Sequence, residues 1–98
     1  MQLYAIRRRN GWATVEDLQA AAARSTAEGD KPGSGVRWIR SYVVSEDNGD
    51  LGTVCIYEAE SPETVRAHAH RVGMPADEIT PVADTVIVRP DPVPVAAS

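Results

Sequence analysis

The order of start and stop signals along the chain is the feature that most constrains its fold. Asn48-Gly49 separates two runs rich in β-branched and aromatic residues, and this dipeptide is typical of the turn in a β-hairpin. A helix-start signal stands on each side of the hairpin, at Thr14 and at Ser61. One apolar run precedes the first helix and another follows the second. The sequence therefore predicts the order β-α-β-β-α-β.

The signals also set the bounds of the predicted elements. Asn10-Gly11 predicts a turn after the first strand, and Gly73 followed by Pro75 ends the second helix. The predicted strands cover residues 2–9, 36–44, 51–59 and 79–89, and the predicted helices cover 14–28 and 62–72. We interpret 1–89 as one domain and the proline-rich 90–98 as a flexible tail.

Six elements in this order most simply form a ferredoxin-like α+β fold, a four-stranded antiparallel sheet with both helices on one face. The other face is then bare, and a chain of 98 residues has a small core. Strand alternation groups Trp38, Tyr42, Tyr57 and Cys55 on one face, which we place opposite the helices, although alternation does not say which side the helices cover. A bare aromatic face predicts a homodimer, arranged as a dimeric α/β barrel with a pocket.

Composition excludes several classes of protein. The net charge of −4 argues against a nucleic-acid binder, and we interpret Arg7-Arg8-Arg9 as a solvated strand end. No stretch approaches the apolar length of a membrane span, and no apolar run follows the basic N-terminus as in a signal peptide. The single cysteine, Cys55, excludes an intrachain disulfide and a multi-cysteine metal site. These features predict a cytoplasmic protein without nucleic-acid or membrane partners.

Two histidines on the second predicted helix are candidate metal ligands. Positions two apart on a helix point in different directions, so at most one of His68 and His70 belongs to a given site within a subunit. His68 shares a face with apolar residues, which indicates a core or cleft histidine. His70 lies toward solvent with Glu63, and the two are weak candidates for surface metal ligands.

The other candidate site residues, a cysteine and three aromatic residues, could instead be ordinary core packing residues. A cysteine in mid-strand is usually a small buried hydrophobic residue, and a thiolate role for Cys55 would need a cation such as His68 beside it. Trp38, Tyr42 and Tyr57 fit core packing, and they equally fit an amphipathic pocket.

Several motifs together resemble a known family. They are Val36-Arg37-Trp38-Ile39-Arg40-Ser41-Tyr42, Cys55-Ile56-Tyr57-Glu58-Ala59, Ser61-Pro62-Glu63, His68-Ala69 and Gly73-Met74-Pro75-Ala76. From Leu3 to about Val82 the chain resembles a small actinobacterial family of unknown function with a described nickel-binding member. The resemblance implies a dimeric ferredoxin-like fold and Ni²⁺ or another divalent transition metal as the ligand. It implies a shared pocket with His68 as the metal-facing nitrogen, lined by Trp38, Ser41, Tyr42, Cys55, Tyr57 and His68, while Glu58 or Glu63 and water complete the coordination.

An enzyme is the main alternative from another class. Dimeric α/β-barrel proteins of similar architecture include cofactor-independent monooxygenases, isomerases and haem-degrading oxygenases, in which His68 would act as acid/base or axial ligand. Against the haem version, Arg7 stands where that group is expected to place an asparagine, and no tryptophan precedes His68 on its helix. Against any version, no second titratable group is visibly paired with His68. A small-molecule carrier, the third alternative, needs only the pocket and the dimer.

Overall fold

The computed structural model describes residues 1–92 and confirms the predicted order of elements. They are β1 (Gln2–Trp12), α1 (Val15–Gly29), β2 (Val36–Ser45), β3 (Leu51–Ala59), α2 (Pro62–Val72) and β4 (Glu78–Pro81). The strands form one sheet in the order β2-β3-β1-β4, with every neighbouring pair antiparallel. This is the ferredoxin-like fold. Within these 92 residues, neither helix is both long and apolar enough to cross a membrane.

Both helices begin and end through the signals found in the sequence. The hydroxyl of Thr14 accepts a hydrogen bond from the Asp17 amide at 3.1 Å, which caps the start of α1. Ser61 caps α2 in the same way, through the Thr64 amide at 3.2 Å. At the other end of α2, Gly73 takes the left-handed conformation with φ 70°, which favours glycine over residues with a side chain.

The sheet turns its mixed polar and aromatic face toward the helices. Thr53, Cys55 and Tyr57 of β3 are all buried there, next to Ile6 and Arg8 of β1. We expected these β3 side chains opposite the helices, and that placement is wrong. The helices themselves supply buried hydroxyl and imidazole groups, so the polar atoms of β3 find hydrogen-bond partners inside the molecule.

A β-bulge in β2 separates two aromatic residues that simple alternation places together. Trp38 lies opposite Tyr57, but Arg40 lies opposite Ile56, so Ile39 is an extra residue in the ladder. Because one extra residue reverses the facing of all that follow, Trp38 faces the helices while Tyr42 faces the open side of the sheet. The predicted common face for Trp38 and Tyr42 is therefore wrong.

β1 continues beyond the turn predicted at Asn10-Gly11. Asn10 has a positive φ of 50°, and the register shifts between Arg8 and Trp12, so the dipeptide forms an irregularity inside the strand. The strand resumes with Trp12 opposite Leu51. The irregularity delivers Trp12 to a second apolar cluster, which also contains Ala21, Val72 and Met74.

β4 is much shorter than predicted, because only residues 78–81 pair with β1. The antiparallel register places Tyr4 opposite Pro81, and the Val82 amide still donates to the Leu3 carbonyl at 2.9 Å. After Val82 the segment leaves the edge of β1, and the apolar residues of 86–88 are exposed outside any strand.

The segment 82–91, which we call the crossing segment, passes over the open face of the sheet. It leaves the β1 edge at Val82, and Asp91 at its far end accepts hydrogen bonds from Tyr42 at 2.7 Å and Arg40 at 3.0 Å on β2. A groove of about 950 Å³ lies between the crossing segment and the sheet. Of the predicted tail 90–98, residues 93–98 lie outside the described part of the chain.

Glu46 joins the hairpin to β1 and provides a test of pH dependence. Its carboxylate accepts hydrogen bonds from the Asn10 amide at 2.8 Å and from Arg7 at 2.7 Å, and these contacts lower its pKa below the ordinary value of 4.5. A lowered pKa stabilises the folded protein above that ordinary value, and the contribution is lost as pH falls through the folded-state pKa. We expect Glu46→Gln to destabilise the protein at neutral pH and to flatten the acid limb of its stability profile.

Chemical unfolding measured from neutral pH down to about pH 3 checks this expectation. The control is Glu60→Gln, which changes an exposed carboxylate and should leave the acid limb in place. An unchanged acid limb in Glu46→Gln would show that the pairing with Asn10 and Arg7 contributes nothing to stability.

Candidate functional site

A set of polar and aromatic side chains is enclosed between the sheet and the two helices, and we call it the polar cluster. Most of its members are almost fully removed from solvent, a position that polar side chains usually take only when they are hydrogen-bonded. β1, β2 and β3 supply the floor, while α1 and α2 supply one member each. The polar cluster consists of Arg8, Ser25, Trp38, Ser41, Thr53, Cys55, Tyr57 and His68.

One hydrogen-bonded chain in the cluster joins β3 to both helices. The Ser25 hydroxyl lies 2.8 Å from the Tyr57 hydroxyl and 3.1 Å from Nε2 of His68. Burial raises the pKa of the Tyr57 phenol, with Ser25 opposing the rise, so Tyr57 is a neutral hydrogen-bonding group. The hydrogen bonds through Ser25 therefore fix the orientation of the His68 ring.

His68 is buried and neutral, and one of its nitrogens has no partner. Burial lowers the pKa of its imidazole, and the charges of Arg71 and Arg8 lower it further, while Glu28 opposes them. In the tautomer protonated at Nε2, the ring donates to Ser25 and Nδ1 keeps a lone pair without a hydrogen-bond donor. A neutral ring that is fixed through one nitrogen is the state in which histidine binds a metal ion.

A second hydrogen-bonded chain crosses from β2 to β3. Trp38 donates from its indole nitrogen to Ser41 at 2.7 Å, and the Ser41 hydroxyl donates to the sulfur of Cys55 at 2.9 Å. The thiol in turn donates to Thr53 at 3.3 Å. Trp38 also stacks on Tyr57, with ring centroids 5.8 Å apart and planes 7° from parallel, so the two hydrogen-bonded series of side chains are in contact.

A cleft of about 370 Å³ opens to the surface beside the polar cluster. Three of the predicted pocket residues line it, namely Trp38, Ser41 and Tyr57. Cys55 and His68 do not line the cleft, but each is hydrogen-bonded to a residue that does. Tyr42 lies on the other face of the sheet, in the groove under the crossing segment, so the structure does not bring it to this site.

The sequence pattern did not indicate Arg8 as a site residue, although it is the most deeply buried charged residue. It was interpreted as part of a solvated strand end, and that interpretation is wrong, because its side chain is 0% exposed. Its Nε donates to the Pro75 carbonyl at 2.7 Å, and its guanidinium carbon lies 5.7 Å from the centre of the Tyr57 ring. The available signal was alternation, because Arg8 shares the inward parity of Tyr4 and Ile6.

The three predicted metal ligands do not meet within one chain. His68 points into the core, whereas Glu63 and His70 are exposed on α2. Across residues 1–92, no group of three or more His, Cys, Asp or Glu residues is placed to hold a metal ion. His68, through Nδ1, is the predicted ligand whose surroundings fit a metal-binding nitrogen, and its assignment remains a prediction.

The fold and the polar cluster define the class of this protein, a small ferredoxin-like domain with a cleft beside a hydrogen-bonded core site. The family model described as "Nickel responsive protein SCO4226-like" matches residues 4–82. The chain belongs to this SCO4226-like family. The match confirms the family resemblance drawn from the sequence motifs.

A solved structure and the curated proteins complete the comparison. The chain is similar to SCO4226 from Streptomyces coelicolor A3(2), known from a crystal structure, with 24% sequence identity and a TM-score of 0.68. The match covers 86% of this chain and 99% of that one, and it supports the ferredoxin-like fold. Comparison with curated proteins finds no match for this chain.

Proposed function

We propose that this protein binds a nickel-like divalent cation and that His68 supplies a nitrogen ligand. The observation that carries the proposal is the free Nδ1 of a buried, neutral imidazole held in place by Ser25. A metal-binding histidine usually has its other ring nitrogen held by a hydrogen bond of this kind. The family description, nickel responsive, supports the choice of metal.

Charges of both signs surround His68, since Arg71 and Arg8 disfavour positive charge at its ring whereas Glu28 favours it. Glu28 lies at the end of α1 and its negative charge favours positive charge at the His68 ring. The same carboxylate contacts Lys31 and Arg71, so a metal ion would compete with those cations for it. Hard oxygen ligands and water suit the remaining positions of a nickel ion.

Isothermal titration of metal-stripped protein with Ni²⁺ and with Zn²⁺ tests the proposal. We expect uptake at a fixed ratio per chain, and we expect His68→Gln to weaken binding about tenfold or more because it removes the ligand nitrogen. The matched control is His70→Gln, an exposed histidine on the same helix, which should keep the wild-type affinity. Retained affinity in a folded His68→Gln variant would contradict the assignment of His68.

We further propose that the protein is a cytoplasmic homodimer whose copies meet at the open face of the sheet. Apolar residues of that face and of the crossing segment line the groove, including Leu3, Ile39 and Ile56, and a small domain gains stability by covering them. Light scattering on the titration samples should give about twice the chain mass of 10.5 kDa. A mass of one chain would contradict the dimer. The free thiol of Cys55 supports the proposed compartment.

A second candidate function, small-molecule binding, is favoured by the cleft. Trp38 and Tyr57 present a stacked aromatic wall there, and the hydroxyls of Ser25 and Ser41 provide polar contacts beside it. Such a combination is typical of sites for small organic ligands. An enzyme would also need a proton-transfer partner for His68, whose partner here is the hydroxyl of Ser25.

A further inference from the structure

Three consecutive arginines on β1 have different surroundings, and the middle one has no anion. Arg7 is paired with Glu46 at 2.7 Å, and Arg9 is paired with Glu78 at 2.7 Å. Arg8 stands between them in the sequence, and its side chain is fully buried. No carboxylate among residues 1–92 pairs with it. A buried charge without a counter-charge is costly, so this position requires an explanation.

The contacts of Arg8 leave one edge of its guanidinium unused. The Nε side is held by the Pro75 carbonyl, and the Tyr57 ring lies beside the group. The two terminal nitrogens, Nη1 and Nη2, are both buried and have no hydrogen-bond acceptor. The ring of Tyr57 attracts the positive charge, and Arg8 opposes the rise in the pKa of the Tyr57 phenol, but neither terminal nitrogen forms a hydrogen bond with the phenol oxygen.

We propose that Arg8 is the anchor of a binding site for a small monovalent carboxylate. The two terminal nitrogens of a guanidinium match the two oxygens of a carboxylate, which accept a parallel pair of hydrogen bonds. One buried positive charge is balanced by one negative charge, which favours a monoanion over sulfate or phosphate. Tyr57 lies beside Arg8 and also lines the cleft, whereas Arg8 does not, so an organic substituent on the anion reaches the cleft only when the Tyr57 side chain moves.

The site is closed in this structure, because both terminal nitrogens of Arg8 are out of contact with solvent. Binding therefore requires local opening. It can occur between the sheet and residues 73–77, which connect α2 to β4, or at the Tyr57 side of the cleft. The proposal stands apart from the metal function, since its anchor is a cation and is tested in metal-stripped protein. Failure of metal uptake leaves it intact, and failure of carboxylate binding leaves the metal proposal intact.

Thermal unfolding at constant ionic strength tests the site, with chloride replaced stepwise by acetate, benzoate or sulfate. We expect acetate or benzoate to raise the melting temperature of the metal-stripped protein in a saturable way, as a ligand of the native state does. Arg8→Met should weaken this binding about tenfold to a hundredfold, because it removes a charged pair of hydrogen bonds. In chloride alone, Arg8→Met should be as stable as the wild type or more stable, since it removes an unpaired buried charge at similar volume.

The matched control is Arg9→Met, which removes the neighbouring exposed arginine and should keep the full carboxylate response. Arg8→Lys keeps the charge but not the pair of terminal nitrogens, so it should respond weakly to carboxylates. It serves as the test variant if Arg8→Met does not fold. The proposal is overturned by a wild type that responds to neither carboxylate, or by a response that persists unchanged without Arg8. A larger Arg8-dependent shift with sulfate than with acetate overturns the assignment to a monoanion.

Discussion

Replacing Tyr57 with alanine is expected to lower the free energy of unfolding by about 3–5 kcal/mol, the range for aromatic truncations in a core. Tyr57 is 1% exposed and lies at the centre of the polar cluster. The substitution removes the stacking partner of Trp38, the hydroxyl that contacts Ser25 and the ring beside Arg8. Because the total stability of a small domain is about 5–15 kcal/mol, this loss removes a large part of it.

Urea or thermal unfolding of purified variants measures the effect. Tyr42→Ala is the matched control, because Tyr42 belongs to the same sheet but is 45% exposed on the other face. It should cost much less than Tyr57→Ala. Tyr57→Phe separates packing from hydrogen bonding, since it keeps the ring and removes the hydroxyl, for a loss of about 1–3 kcal/mol. Equal losses from Tyr57→Ala and Tyr42→Ala would contradict the placement of Tyr57 in the core.

Gly52→Ala is the second change for which we expect a large effect. A methyl group at Gly52 would lie 2.6 Å from the backbone carbonyl oxygen of Arg8 and would also collide with the Glu46 carboxylate. The Arg8 carbonyl belongs to a paired strand and cannot move alone, so β1 and β3 must separate locally. Overpacking of this kind costs about 3 kcal/mol, and here it also disturbs the contact between Arg7 and Glu46.

Gly29→Ala is the appropriate control for that variant. An added methyl at Gly29 meets its nearest neighbours, in His68 and Val36, at 3.7 Å, which is an ordinary van der Waals distance. We expect its stability to equal the wild type or to exceed it slightly, because alanine favours the helical backbone. Comparison of the two variants by chemical unfolding checks the expectation. A Gly52→Ala protein as stable as Gly29→Ala would show that the strands do not approach as closely as the structure places them.

The order of elements was predictable because local signals agree with the fold at each boundary. The caps at Thr14 and Ser61, the Asn48-Gly49 turn and the left-handed Gly73 all act within a few residues of sequence. Effects that depend on a partner strand were not predictable in this way. The apolar pattern of 79–89 does not show where the chain leaves the edge of β1, which the structure places soon after Pro81.

The candidate site was predicted in part, for a related reason. The helical face of His68 indicated a core or cleft position, and the structure places it there. The bulge at Ile39 was not visible in the sequence, so Tyr42 was wrongly grouped with Trp38. Arg8 was missed because arginine is rarely buried alone, and that general tendency outweighed the inward parity of its position on β1.

Cys55 gives this protein an internal reporter of its own opening. It is the only cysteine in the chain, and its thiol is 1% exposed at the middle of the central strand pair. A thiol reagent reaches this sulfur only when β3 is uncovered, so the labelling rate follows the population of molecules in which the centre of the sheet is open. The labelling rate of Cys55 thus reports how often the core opens to solvent, in the native sequence and without an introduced probe.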